Sequence, residues 1–581
     1  MSGKTIYLFI WGYQDTYRKQ IQILARNVLE NLGAPAEAEV LLVGALSPDS
    51  NNINPICLEP EDGKWSLSLF DGLLDSVESN YQNHELQNMF YGDEPSMRDK
   101  PAWMRCDSVR VSVRNVLTDF DAEKNVISFC GEVRRINNYY VTPVIQIPKT
   151  TFVHFPPLSL QSIDKKPQGR GFPSLIHAAM NTILDEATTE LQKPEPGRFT
   201  HSSLRDAKEI VRIAAKSFLH TPGLAIERQY THTDLFDALN LVSSLMYEGT
   251  KGIGQLILVD PDNDKVKFLV RFANPVPFGE PRWVRKVLQM ATTGIGIIAD
   301  SQHIYGLGQL EDLASSSLQA TFTVAFIDHF HWVLHYGKQA LLRSHYGVPK
   351  LPQDPFDKMA FLANYARLFP LTTKNDGLNL WSLLLTQIQQ KHGSMIVVAE
   401  DAANEALRLS NQGTNIKPTQ LTESLLCSVS GIDGTIMLDP DGLCHAIGVI
   451  LDGEVTEQCT PSRGSRYNSG VRYVQSKGPR RLAIVVSDDR TIDIIPPIRG
   501  LISKTKLEQH VATFEVAKVD NYHDSRNWLN DHRFYINADQ CKRINKTLDR
   551  LDAHPKRVGL IYFRTERFVI HPDMEESYLT D

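Results

Sequence analysis

Apolar residues recur every three or four positions through QIQILARNVLENLGA (20–34), a spacing that predicts an amphipathic helix. It lies between the strand-like runs TIYLFIWGY (5–13) and AEVLLVGAL (38–46), so the chain opens on a βαβ-like pattern. Residues 47–105 are polar and rich in Asn, Asp and Pro, as a long loop would be. Strand-like patterns return at CDSVRVSVRNVL (106–117), KNVISFCGEV (124–133) and YYVTPVIQI (139–147), and PPLSLQSIDKKPQGRGFPS (156–174) reads as a linker. Helical periodicity dominates 173–220.

Beyond residue 225 the patterns alternate. KVKFLVRFANPV (265–276) predicts strands and PRWVRKVLQMA (281–291) a helix. TFTVAFIDHFHWVLHYGKQALLRSHYG (321–347) predicts one long helix or two, ahead of the Pro-rich break VPKLPQDP. Then follow a helix at LNLWSLLLTQIQ, a strand at GSMIVVAE and a helix at KPTQLTESLLCSV. TIMLD and CHAIGVIL form a hairpin about DPDG, and buried strands lie at LAIVVSDD and TIDIIP. PSRGSRYNSGVRY (461–473) reads as a basic, glycine-containing loop between them. After Arg499, FEVAKV and RVGLIYFRTERFVI suggest strands of a small α/β appendage.

One stretch echoes another. LNLVSSLMYEGTKGIGQLILV (Leu239–Val259) lies without gaps on LNLWSLLLTQIQQKHGSMIVV (Leu378–Val398), which fits either a duplicated helix–strand unit or two common units that coincide. At about 150 residues per domain, 581 residues predict three or four domains. The patterns place them at 1–225 (α/β plus helical, with no assignable chemistry), 226–370 (αβ and helical), 371–500 and 501–581.

Composition narrows the function classes. A net charge of −7 argues against broad nucleic-acid binding but permits a small basic pocket. The 7 cysteines show no CxxC spacing, which fits a reducing compartment. No run approaches the length of a membrane span and the start lacks a signal-peptide pattern, so a cytoplasmic protein is expected.

His331 and His335 would share a helix face, but Trp332 stands where a zinc hydrolase needs glutamate, so they are expected to be packing or surface residues. Glu248, Lys251 and their neighbouring glycines could line a pocket, and Gly306 and Gly308 suit a tight strand turn or a ligand loop. Residues 378–497 carry more chemistry. A carboxylate at Asp433 can hold Mg²⁺ or Mn²⁺ or a ribose hydroxyl. Backbone N–H groups around Gly464, with the hydroxyls of Ser462 and Ser465, can wrap phosphate oxygens, and Arg463 and Arg466 add charge-assisted contacts.

This region resembles the diadenylate cyclase domain of bacterial DNA-integrity-scanning proteins and their membrane-bound relatives. The family's Asp-Gly-Ala motif is similar to Asp433-Gly434-Thr435, and its Gly-Thr-Arg-His-Arg motif to Gly464-Ser465-Arg466-Tyr467-Asn468. Ile484-Val485-Val486-Ser487 matches the strand that follows, and the upstream MYEG and IYGLG segments resemble the region that accompanies the domain in sensor-type relatives. The resemblance implies a mixed-sheet αβ domain in the C-terminal half of an α/β multidomain chain. It also implies metal-dependent condensation of two ATP into cyclic di-AMP between opposed domains. Asp433 would sit beside the metal and the attacking hydroxyl, and residues 463–468 would hold the nucleotide. Tyr467 and Asn468 replace the family's His-Arg, which removes a cation from leaving-group stabilisation. The expectation is a signalling protein that reads a nucleotide or cyclic dinucleotide rather than makes one. An active cyclase and a ligand-free assembly protein are the alternatives, and a homodimer or an effector protein the expected partner.

Overall fold

The computed structural model describes residues 10–50, 54–61, 64–153, 155–159, 171–198, 204–226, 234–292, 294–310, 321–352, 358–390, 392–456, 458–460, 464–476, 478–487, 492–518, 522–553 and 565–581. They fall into two compact units, 1–353 and 354–581.

The first unit begins with α1 (Gln14–Leu32), β1 (Glu39–Leu46), β2 (Ile56–Glu59), α2 (Leu73–Gln82) and α3 (Glu94–Lys124). β3 (Val126–Cys130), β4 (Arg134–Ile136), β5 (Tyr139–Pro148), α4 (Leu175–Leu191), α5 (Ala207–Phe218) and α6 (His220–Ala225) complete this part. Its sheet runs β2-β1-β5-β3 with β4 also on β5, and every pairing is antiparallel. The expected opening strand mostly precedes residue 10, outside the described residues, and 10–13 are the bend and turn into α1. The 47–105 stretch is less loop-like than expected, since it holds α2 and the start of α3.

CDSVRVSVRNVL is helix, not strand. Its β-branched valines suggest alternation, but Val109, Val113, Leu117 and Phe120 are buried at helical spacing. The Asp93 carboxylate caps that helix by accepting from the Ser96 N–H at 2.8 Å.

The rest of this unit is α7 (Leu235–Ser244), β6 (Gly254–Leu258), β7 (Val266–Pro277), α8 (Pro281–Leu288), β8 (Gly296–Ala299) and β9 (His303–Leu310). β10 (Phe322–Asp328), β11 (His331–Tyr336), β12 (Gln339–His345) and β13 (Val348–Lys350) follow. The long helix expected over 321–347 is therefore an antiparallel meander. Phe322, Val324 and Phe326 are buried at period two, and positive φ at Phe330 (55°), Gly337 (55°), Tyr346 (50°) and Gly347 (72°) makes the reversals. His331 and His335 lie on β11 rather than a helix, and the His331 ring packs 5.0 Å from that of His345. One continuous core joins α1, α4, α5 and α7 to a face of the second sheet.

The second unit comprises α9 (Lys358–Leu368), α10 (Lys374–Gln389), β14 (Ser394–Ala399), α11 (Ala402–Arg408), β15 (Thr414–Gln420), α12 (Glu423–Val429), β16 (Thr435–Leu438) and β17 (Leu443–Val449). It continues with α13 (Ser465–Gln475), β18 (Arg481–Val486) and β19 (Ile492–Ile495). Ile396 and Val398 pack under the α9, α10 and α12 side, while Met395 and Val397 pack under α11 and α13. The result is a mixed sheet covered on both faces, with β14 and β18 buried throughout. KPTQ belongs to β15, so the helix expected from Lys417 starts only after its Thr422 cap.

The C-terminal part holds β20 (Ile502–Ser503), α14 (Lys504–Glu515), α15 (His523–Asp531), α16 (Ala538–Asp552) and β21 (Leu579–Thr580). Phe514 and Glu515 of FEVAKV end α14, and its Val519 lies outside the described residues. Most of RVGLIYFRTERFVI lies outside the described residues.

The second and third sheets repeat one topology. The order β11-β10-β6-β8-β9-β7 is matched strand for strand by β19-β18-β14-β16-β17-β15. In each, the central strand has one parallel neighbour (β6 with β8, β14 with β16), and the other pairings within these two orders are antiparallel. The gapless sequence echo finds the right elements in the wrong register. Leu241 is 48% exposed where its echo Leu380 is buried, and Leu256 packs on the α7 side whereas its echo Met395 packs away from α10. What repeats is the strand order, not the aligned identities.

Candidate functional site

Asp433 and Gly434 connect α12 to β16. Gly434 has φ +116°, and a Cβ there would lie 2.5 Å from the Gly448 carbonyl carbon. Only glycine permits this approach of β17 to the turn. Gly434→Ala is accordingly expected to lower the thermal midpoint of the second unit by several degrees, because backbone rather than a side chain blocks the methyl. An unchanged melting curve would contradict the close approach.

The Asp433 side chain is 95% exposed, and its Oδ1 accepts from the Gly434 N–H at 3.1 Å. Thr435 is fully buried, and its Oγ1 has no hydrogen-bond partner among the described residues. By alternation with Ile436 it shares the α13 face with Met437.

The basic loop predicted at 461–473 is largely helix, because α13 begins at Ser465. Pro461, Ser462 and Arg463 lie outside the described residues. Gly464 is the N-cap and provides no side-chain cap, and the first turn has no acidic residue. Ser465, Arg466 and Tyr467 form that turn, so the backbone N–H groups and positive dipole end that suit an anion are supplied by a helix terminus. Arg466 Nη2 stands 3.5 Å from Asp433 Oδ1, which brings the two sequence motifs together. An ion pair this exposed contributes little to stability and can be exchanged for a ligand. Tyr467 packs partly into the core under α13. Asn468 holds the approach to the helix: its Nδ2 donates to the Thr460 carbonyl at 3.0 Å and its Oδ1 accepts from the Thr460 N–H at 3.0 Å.

A network not foreseen from the sequence anchors α13 from below. Tyr473 Oη donates to Glu405 Oε2 at 3.0 Å, and Arg481 Nη2 lies 3.3 Å from the same carboxylate and 3.4 Å from Asp401. Arg408 bridges Glu405 to Asp452, with contacts of 2.8 Å and 2.6 Å. Hydrogen bonds from Arg408 lead the causes that hold the Glu405 carboxyl below its ordinary pKa, while burial pushes the Tyr473 hydroxyl well above its own. The available signal was faint, the Glu405 and Arg408 pair at i, i+3 spacing in AANEALR.

No group of three or more His, Cys, Asp or Glu side chains among the described residues could hold a metal ion. Asp433 supplies one carboxylate, a donor set suited to an ion that arrives on a triphosphate rather than to a resident one. No described helix is long and apolar enough to cross a membrane.

The other segments singled out in the sequence differ in role. Glu248 lines a cavity, whereas Lys251 pairs with Asp328 at 2.8 Å. Gly306 (φ +148°) sits within β9, where a Cβ would meet the Val270 carbonyl oxygen at 2.0 Å, so it serves strand packing.

Comparison with known proteins finds matches within the first unit. Residues 10–219 match the family described as probable sensor domain DACNG, and residues 233–338 the one described as probable sensor domain DACNH. No curated protein matches the chain. Among solved structures, a double mutant of DacA from Staphylococcus aureus is 16% identical over 21% of this chain and 83% of that one, with a TM-score of 0.18. A hypothetical membrane spanning protein from Bacillus cereus is 20% identical over 22% of this chain and 62% of that one, with the same TM-score of 0.18. Similarity at that level carries no weight for the fold. The Asp433–Arg466 pair lies beyond both family matches. Residues 10–219 and 233–338 thus match two family models, each described as a probable sensor domain.

Proposed function

We propose that the protein is a sensor or regulator that binds a nucleotide or cyclic dinucleotide at the Asp433–Arg466 site, without efficient turnover. The observation that carries this reading is the open N-terminus of α13, with Arg466 in its first turn 3.5 Å from Asp433. Phosphate oxygens would take the Gly464–Tyr467 N–H groups and the Arg466 guanidinium. Asp433 would face a ribose hydroxyl, or Mg²⁺ or Mn²⁺ carried in by a triphosphate. Tyr467 and Asn468, where the cyclase motif has His-Arg, themselves supply no cation for a leaving group. Occupancy would act on the rest of the chain, or on a partner protein or second copy, by favouring one of its conformations.

Titration calorimetry with ATP, with and without Mg²⁺, and with cyclic di-AMP tests this. Saturable binding is expected, weakened by about tenfold to a hundredfold in Arg466→Ala, the worth of a charged hydrogen bond. Incubation with ATP and Mn²⁺ is expected to give no cyclic dinucleotide. A product that vanishes in Asp433→Ala would replace the sensor reading with an active cyclase, and absence of heat with every ligand would leave an assembly role.

A further inference from the structure

A second site lies in the other compact unit, within the residues that match DACNH. The segment after α7 and the helix α8 enclose a cavity of about 770 Å³, and a neighbouring one of about 640 Å³ shares Tyr247, Trp283 and Lys286 with it. The first is lined by Met246, Tyr247 and Trp283 together with Arg282, Arg285 and Lys286, against the single carboxylate of Glu280. Trp283 is 47% exposed and Met246 53%, so the walls are apolar surface left open to water. Lys286 Nζ lies 4.9 Å from the Trp283 ring centroid and 6.0 Å from that of Tyr247. A cation is thus already held over aromatic faces.

Arg285 sharpens the chemistry. It is 1% exposed, with Nε donating to the Leu245 carbonyl at 3.0 Å and Nη2 to the Thr250 carbonyl at 2.6 Å. It has no carboxylate partner among the described residues, and Nη1 has no hydrogen-bond partner there at all. A Cβ on Gly252 would sit 3.0 Å from Nε, so the segment after α7 packs closely on the guanidinium. A buried, uncompensated cation is costly unless an anion comes to it. We infer that this cavity binds a small anion bearing a planar aromatic ring, the chemistry of a nucleoside phosphate. The ring stacks on Trp283 or Tyr247, and the charge meets Arg282 and Lys286 in the field of Arg285.

The test uses the full chain carrying Arg466→Ala, which disables the anion site of the other unit, and titrates it with AMP, adenosine and inorganic phosphate. AMP is expected to bind saturably and about tenfold or more tighter than either fragment. Adding Trp283→Ala, or Arg282→Ala together with Lys286→Ala, weakens AMP by about tenfold or more, whereas Trp283→Phe keeps it within about threefold. Absence of AMP binding in a chain whose circular dichroism is unchanged overturns the site, as does AMP binding indifferent to these variants. Phosphate alone binding as tightly as AMP, or binding seen only with a single-stranded oligonucleotide, overturns the ligand class. Loss of this site with Arg466-dependent binding intact in the unmodified chain leaves the proposed function standing, and the reverse result leaves only this one.

Discussion

Glu405→Ala is expected to destabilise the second unit by about 3–5 kcal/mol, the cost of leaving a buried charge without its partner. The side chain is 8% exposed, and its removal leaves Arg481, itself 5% exposed, with Asp401 alone and takes away the acceptor of the Tyr473 hydroxyl. In calorimetry of the full chain this appears as a fall of roughly 10 °C in the transition of that unit. A shift under about 2 °C would show that the network is solvated and of little consequence. The effect depends on pH in a definite direction. Because the folded carboxyl sits below its ordinary pKa, its contribution is complete above the unfolded value of about 4.3 and is lost as pH falls through the lower folded value. Wild type and variant should therefore converge in acid, and a difference that widened instead would reverse the assignment.

Trp332→Ala is expected to cost the first unit about 3–5 kcal/mol through the cavity it leaves. The indole is fully buried and meets Phe236 edge-on at 5.8 Å, and its Nε1 donates to Asn240 Oδ1 at 2.8 Å. The same oxygen accepts from Ser344 Oγ at 2.7 Å, so one α7 side chain ties together β11 and β12. Trp332→Phe should recover most of the loss, because it refills the volume and leaves Asn240 still paired with Ser344. Urea unfolding followed by hydrogen exchange in β10–β12 measures this. Equal losses for the two variants would mean that the hydrogen bond, not the packing, holds the meander to α7.

These two residues also mark how far the sequence could be read. The central strands at LILV, MIVV and AIVV were legible because buried on both faces they form short unbroken apolar runs. The apolar residues of 321–347 fit either period, so Trp332 reads as helical, and the first reversal, at Phe330, carries no glycine. Val109 and Val113 misled in the opposite direction, β-branched residues serving a helix face. At the site, the residues of α13 read as a loop because Gly, Ser and Asn carry little helix signal, and the turn is fixed instead by Tyr473 and Val471 packing on the sheet. The pairing of Asp433 with Arg466 was legible only through motif order. The spacing of Trp283, Arg285 and Lys286 predicts a helix and nothing more.

The shared strand order of the second and third sheets has a consequence for biogenesis. Two sheets built to one plan, both with apolar central strands, can exchange partners if both are unfolded at once. Synthesis separates them in time, because β6 through β13 have all emerged before β14 is made. The turn before β8 carries no carboxylate, so a strand that crossed over would also leave the Asp433 position empty of charge. Folding in order of translation thus keeps each sheet with its own strands, and Asp433 at the edge of the third.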